Sequence, residues 1–503
     1  MANGKTRVQA SHIIAFDGQK HRFLIDGELV YEGREIVYVG PKYEGPTDRT
    51  IEARGKIVSP GFISTHAHLF ESPMDRSFIE DKGNPQFYMS GLYENLPVRG
   101  MAMDMEMGRA CLHYSLAELL RSGTTTVTEL GPINDGLIPM IKELGNRVYF
   151  GPIFRSGKWH TPDGKQVLYD WFDDQGREAM EEAVNFIKAH EDDCDGLLKG
   201  VISPAQIDTC TEELLSQSLD WAEKLGLPYT VHISQSVVEF NEMLRRHGKT
   251  PLAWLRDIGC LKKKAILGHA ILIGGTSWTN YPPGDLEIMA ESGCSVAHAP
   301  WVFGRRGVVM ESFHRYQQAG INMTLGTDTC PQNMIQAMRW AAVASKIVER
   351  NTEVTTAADV FNAATVNAAQ ALGRDDLGRL CPGAKADLVI FKGESMNMVP
   401  LRDPVKNIVY NAEAEDVETV IINGRTVLDG GRVLGTDQEE LNRRLQAAGE
   451  KMWPRLGLFD WNRRSVDELS PPSFEYLGRE PRSEPGKRET ANDEAGKTDR
   501  KFW

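Results

Sequence analysis

Residues 61–68 read GFISTHAH, a short run of apolar and β-branched residues that ends in two histidines spaced two apart. Seven more such runs follow: TTTVTEL (124–130), RVYFGPIF (147–154), LLKGVIS (197–203), PYTVHIS (228–234), KAILGHA (264–270), CSVAHAP (294–300) and INMTLGTD (321–328). Between them lie stretches such as MEMGRACLHYSLAELLRSG (105–123) and TEELLSQSLDWAEKLG (211–226), whose apolar residues recur every three to four positions, the spacing of an amphipathic helix. Eight strand-then-helix units predict an α/β fold, a (β/α)8 TIM-like barrel over residues 60–376.

On either side of that block the text changes to short, turn-punctuated β runs. HIIAF, FLIDGELVYEG and EIVYVG precede it, and DLVIFKG and DVETVIINGRTVLDGG follow it. Segments 1–59 and 377–435 are therefore expected to join as one composite β-sandwich. Residues 436–477 read as a helical extension. Residues 478–503 carry dense charge with few large apolar side chains, so they are expected to be a disordered tail.

The balance of 57 Lys and Arg against 70 Asp and Glu gives a net charge of −13, the wrong sign for neutralising a phosphate backbone, so nucleic acid is excluded as a partner. It also argues mildly against highly anionic substrates. No apolar run is long enough to span a membrane, and no basic-then-apolar leader stands at the start. The seven cysteines are odd in number and never spaced as a CxxC pair, which predicts reduced thiols and a cytoplasmic protein. Any metal must then be held by other ligands.

The histidines supply them. His66 and His68, two apart in a strand, point to one face at the C-terminal mouth of the first barrel run. His232, His269, His298 and Asp328 end the fifth to eighth runs, and in a closed barrel those ends converge on one rim. Neutral imidazoles with a carboxylate suit a divalent ion, Zn²⁺ or Fe²⁺.

In this order, PGFISTHAH, VHIS, GHA, SVAHAP and LGTD resemble the metal-dependent amidohydrolase superfamily, most of all its branch of triazine hydrolases, cytosine deaminases and chlorohydrolases. AELLRSGTTTV, AATVNAAQALG and LGRLCPGAKADLVIF resemble that branch too. The resemblance implies a mononuclear metal held by His66, His68, His232 and Asp328. His269 would stand beside the attacking water and His298 behind it, with Asp328 and His269 as catalytic groups. It also implies a homodimer or larger assembly acting on a small molecule. A second metal would need a lysine at the end of the fourth run, and that run ends VISPAQ.

One departure bears on the chemistry. Deaminases of this branch place a glutamate three residues after the fifth-strand histidine, and here that position is Gln235, which orients by hydrogen bonds but exchanges no proton. The expectation is therefore hydrolysis of a carbonyl-type C–N bond (amide, urea, carbamate or lactam). The alternative is a deaminase or dechlorinase of a heteroaromatic ring, should Glu239 reach the substrate. Phe70, Trp301 and Phe303 are candidate walls for an apolar or aromatic substrate, Cys330 is a further wall, and Arg305 and Arg306 read as solvated cations.

Overall fold

A computed structural model describes residues 4–78 and 83–477; the tail expected at 478–503 lies outside the described residues. The chain opens with four strands, β1 (Lys5–Phe16), β2 (His21–Glu32), β3 (Glu35–Gly40) and β4 (Arg49–Pro60). Then come β5 (Phe62–Ala67), β6 (Thr124–Gly131), β7 (Arg147–Phe154), a hairpin of β8 (Gly157–His160) and β9 (Leu168–Trp171), and β10 (Leu198–Gly200) with β11 (Ser203–Pro204). β12 (Tyr229–Ile233), β13 (Ala265–His269), β14 (Ser295–His298) and β15 (Asn322–Leu325) complete that region, and β16 (Leu388–Lys392), β17 (Val417–Ile422), β18 (Arg425–Asp429) and β19 (Arg432–Val433) follow.

The central strands are parallel and form two arcs, β10-β7-β6-β5 with β11 also on β7, and β12-β13-β14-β15. Every residue of β5, β6, β12, β13 and β14 is buried, as parallel strands with both faces covered require, which is why they read as continuous apolar or β-branched runs. Where an unbroken ring of eight strands was expected, the arcs meet through isolated bridges: Ala67 with Asp328 at one seam, and Ile202 with Tyr229 and Gln206 with His232 at the other.

The fourth predicted strand is split into β10 and β11. The register keeps one offset across the gap, from Leu198 opposite Val148 to Ser203 opposite Ile153. Pro152 of β7 falls opposite the interruption and has no amide hydrogen to give, so the ladder skips there.

Strands from both chain ends join in one hydrogen-bonded sheet of eight, ordered β19-β18-β17-β16-β4-β1-β2-β3, with its own apolar core of Val8, Ile13, Leu29, Ile36, Leu388 and Ile421 among others. It is locked to the central region by Arg147, at the start of β7, whose guanidinium donates to Asp387 at 3.0–3.3 Å and to Asn423 Oδ1 at 2.6 Å. The C-terminal helix Gln438–Met452 packs on the helix Met105–Arg121 through Met107, Cys111, Ala448 and Met452. Beyond it, Trp461 and Arg464 bond Glu94 and brace the long loop that follows His68. All seven cysteines are free of disulfides, and among the described residues no helix is long and apolar enough to cross a membrane.

Candidate active site

The strand ends bring His66, His68, His232, His269 and Asp328 together. His68 Nδ1 lies 2.9 Å from the Leu130 carbonyl and His232 Nδ1 lies 2.6 Å from the Ala205 carbonyl. A carbonyl only accepts, so both Nδ1 atoms carry the hydrogen and both Nε2 atoms present bare lone pairs. Those two Nε2 atoms face each other at 3.1 Å. Lone pair against lone pair at that distance is repulsive unless a cation lies between. His66 is fully buried and neither of its ring nitrogens has a hydrogen-bond partner, a cost of about 1–3 kcal/mol that a metal bond would remove.

The carboxylate completes the set. Asp328 Oδ1 stands 3.6 Å from His68 Nε2 and 4.0 Å from His66 Nε2, and Oδ2 stands 3.7 Å from His269 Nε2. Separations of this size match the edges, roughly 3.3 Å and upward, of a polyhedron whose metal–ligand bonds are about 2.0–2.1 Å. The donor set fits one divalent ion, zinc first, and thiolates take no part. Asp328 sits in the left-handed region, φ 57°, fixed because its N–H donates to the His66 carbonyl and its own carbonyl accepts from His68 N–H. Burial, reinforced by the neighbouring imidazoles, holds His66, His232 and His269 far below the ordinary histidine range, so they are neutral and able to ligate at pH 7.

A cavity of about 440 Å³ opens over this cluster and is lined by His68, His232, His269 and Asp328. Phe303 stands edge-on to His269, ring centroids 4.7 Å apart, and Phe70 forms another wall. Gln235 also lines it, and its Nε2 is buried without a partner. His298 is buried behind the rim and its pKa is lowered by burial to about 3.

Several expectations are corrected. Trp301 packs against Trp340 at 5.2 Å, because the helix Pro300–Gly304 turns it away from the cavity that Phe303 faces. Glu239 does not reach the cavity: fully buried, it accepts from Ser234 N–H at 2.5 Å and Gln235 N–H at 3.1 Å, holding the turn that presents Gln235. Arg305 is not a solvated cation, since it donates to the Cys330 carbonyl and Thr329 Oγ1, both at 2.8 Å, and clamps the loop after Asp328. Lys199 is ion-paired with Asp192 and Glu191, away from the histidines. Cys330, expected as a wall, is buried and is not among the residues that line the cavity.

Sequence reading missed four contributors. Glu129, on β6, accepts from Leu69 N–H at 2.6 Å and its carboxyl is pushed up by burial to about 8. Gly268 and Gly326 leave room for His66: a Cβ on either would come within 2.8 Å of it. Arg99 is buried and ion-paired with Asp75 and, at 3.0 Å, Glu71, placing charge on the cavity wall. An HAH motif signals its histidines, whereas these residues act through partners distant in the chain.

Comparison with known proteins agrees with this geometry. The chain is 27% identical over 443 residues to a 5'-deoxyadenosine deaminase of Methanosarcina barkeri, covering 86% of this chain and 95% of that protein. It is 28% identical over 412 residues to a 5-methylthioadenosine/S-adenosylhomocysteine deaminase of Thermococcus onnurineus, covering 80% and 90%. Its fold matches an adenosine deaminase from Xanthomonas campestris solved with bound zinc, with TM-score 0.77, 23% identity and coverage of 89% and 98%. It also matches an atrazine chlorohydrolase from Arthrobacter aurescens complexed with zinc, with TM-score 0.74, 22% identity and coverage of 88% and 100%. The family model described as Amidohydrolase family matches residues 57–427, and the chain belongs to that family, as a metal-dependent hydrolase of C–N bonds.

Proposed function

We propose that the chain is a hydrolytic deaminase of an amino-substituted heteroaromatic ring of the purine type, with His66, His68, His232 and Asp328 holding one divalent ion. This reverses the order expected from the sequence, which put a carbonyl-type C–N bond first. The observation that carries it is likeness to deaminases of adenosine derivatives over nearly their whole length. The walls Phe70 and Phe303 support it, since edge and face contacts to a flat ring favour an aromatic substrate over an aliphatic amide.

When bound, the ion supplies Lewis acidity and a water of lowered pKa. The Asp328 carboxylate is placed to accept a proton from an attacking water and to return it to the departing amine, so that a C–O bond would form, the C–N bond would break and ammonia would leave. His269, 3.7 Å from Asp328, is placed to orient the attacking water by a hydrogen bond. Gln235 Nε2 donates a hydrogen bond to a ring acceptor. Leu469, from the C-terminal extension, lines the cavity and helps exclude bulk water.

A second reading, hydrolysis of an amide or urea, is favoured by Gln235 itself, because a carbonyl needs no ring protonation. The test is ammonia release by zinc-loaded protein from adenosine, 5'-deoxyadenosine and aminotriazines, run beside amides and ureas. Turnover of the aminoheterocycles is expected; turnover of amides with the heterocycles untouched would replace the proposal by the second reading.

A further inference from the structure

Most charged side chains of the cavity wall are paired with one another or with the backbone. Arg99 is consumed by Glu71 and Asp75, and Arg305 by the loop after Asp328. Arg306 is different. Its backbone N–H donates to Phe303, but among the described residues its guanidinium makes no hydrogen bond and no ion pair, although it is partly buried and lines the cavity with His269, Asp328 and Phe303. Asp75 and Asp328 act on it through space, and neither forms an ion pair with it. A guanidinium in a cavity wall without a counter-charge is available to a ligand, and its five donors form a fork matched to planar oxyanions. Gln235 Nε2, a donor on the same wall, is also buried without a partner. Arg306 and Gln235 together offer donors to a ligand that carries acceptors.

We propose that Arg306 is a substrate-binding residue that pairs with an anionic oxygen group, a carboxylate or a phosphate, carried by the ring compound that fills this cavity. The net charge of −13 does not oppose this, because exposed charges act through screened solvent whereas Arg306 acts at contact. The inference deepens the proposed function and rests on that site being the place where substrate binds. It does not require that the reaction be deamination.

The test uses zinc-loaded protein and calorimetric titration with three probes of one ring: benzyl alcohol, benzoate and phenyl phosphate. The two anions are expected to bind about 10- to 100-fold more tightly than the alcohol. Both anions will also be drawn to the metal, so the decisive comparison is Arg306→Leu, in which the preference should fall at least tenfold while zinc content and alcohol affinity hold. Arg306→Lys should restore only part of it, since the charge remains and the fork is lost. Loss for benzoate alone assigns the site to carboxylates, and loss for phenyl phosphate alone to phosphates. An anion preference unchanged in Arg306→Leu overturns the proposal. A preference that depends on Arg306 in an enzyme releasing no ammonia overturns the deaminase reading and leaves this one standing.

Discussion

Gly268→Ala probes the metal cluster without touching a ligand. A Cβ built on Gly268 would stand 2.7 Å from His66 Cε1 and Nδ1, where ordinary contact begins near 3.4 Å. The ring cannot simply retreat, because His66 is fully buried and its Cβ already lies where a Cβ on Gly326 would come within 2.8 Å. Relief therefore needs a shift of several tenths of an ångström, against a ligand tolerance of about 0.2 Å. Zinc affinity should fall about 10- to 100-fold, or about 1.4–2.8 kcal/mol, with a similar overpacking cost of about 1–3 kcal/mol in stability. The assay is competition for zinc against a chromophoric chelator, with Gly304→Ala as control, since its nearest neighbour, the Trp340 ring, is at an ordinary 3.9 Å. A Gly268→Ala protein that binds one zinc with unaltered affinity would show that His66 is not a ligand held in this geometry.

Four further outcomes are expected. Asp387→Ala strands the buried Arg147 guanidinium and should cost about 3–5 kcal/mol in urea unfolding, whereas Arg147→Met combined with Asp387→Leu should recover part of it. His21, whose pKa burial lowers from 6.5 to about 4, binds its proton more weakly when folded, so stability holds above about pH 6.5 and is lost as pH falls toward 4. The loss is about 3 kcal/mol at most; in His21→Phe, which keeps a ring between Phe16 and Phe361, the acid limb of the stability curve should flatten, and an unchanged limb refutes the assignment. Removing metal with a chelator should abolish ammonia release and lower the thermal midpoint, both restored by zinc, because the apo site leaves two imidazole lone pairs 3.1 Å apart. Gln235→Glu should raise deamination at least about tenfold near neutral pH, measured as ammonia release, if that position meets the ring nitrogen.

What the sequence disclosed depended on how local the cause was. GFISTHAH and CSVAHAP declare buried strands and their terminal histidines within a few residues, so the strand ends and the histidines on them were legible. The split of β10 from β11 has its cause in Pro152, about fifty positions away in the chain, which no window around LLKGVIS contains. Trp301 and Phe303 sit two apart on one short helix, and only the packing of Trp340 decides which of them faces the cavity. Arg305 and Arg306 are adjacent and identical in type; a clamp on Cys330 and Thr329 separates them, and both partners belong to the next β/α unit.

The same locality governs the chemistry around Gln235. Its neighbour Glu239 has a carboxyl raised far above the ordinary range by burial and by Asp208, which on pKa alone resembles a general acid. Geometry rules otherwise, because both oxygens face the backbone of Ser234 and Gln235 and the group does not line the cavity. Asp208 is likewise committed, to Trp159 Nε1 at 2.7 Å and Tyr169 Oη at 2.8 Å. On the proposed function, proton traffic over the histidine cluster would fall to Asp328, and Gln235 would offer a ring nitrogen hydrogen bonds rather than a proton. Such a site works best where the ring is already electron-poor or the leaving group is good. That condition is met by some aminoheterocycles and by activated carbonyls, so electron demand in the substrate, more than its size, separates the two readings of this enzyme.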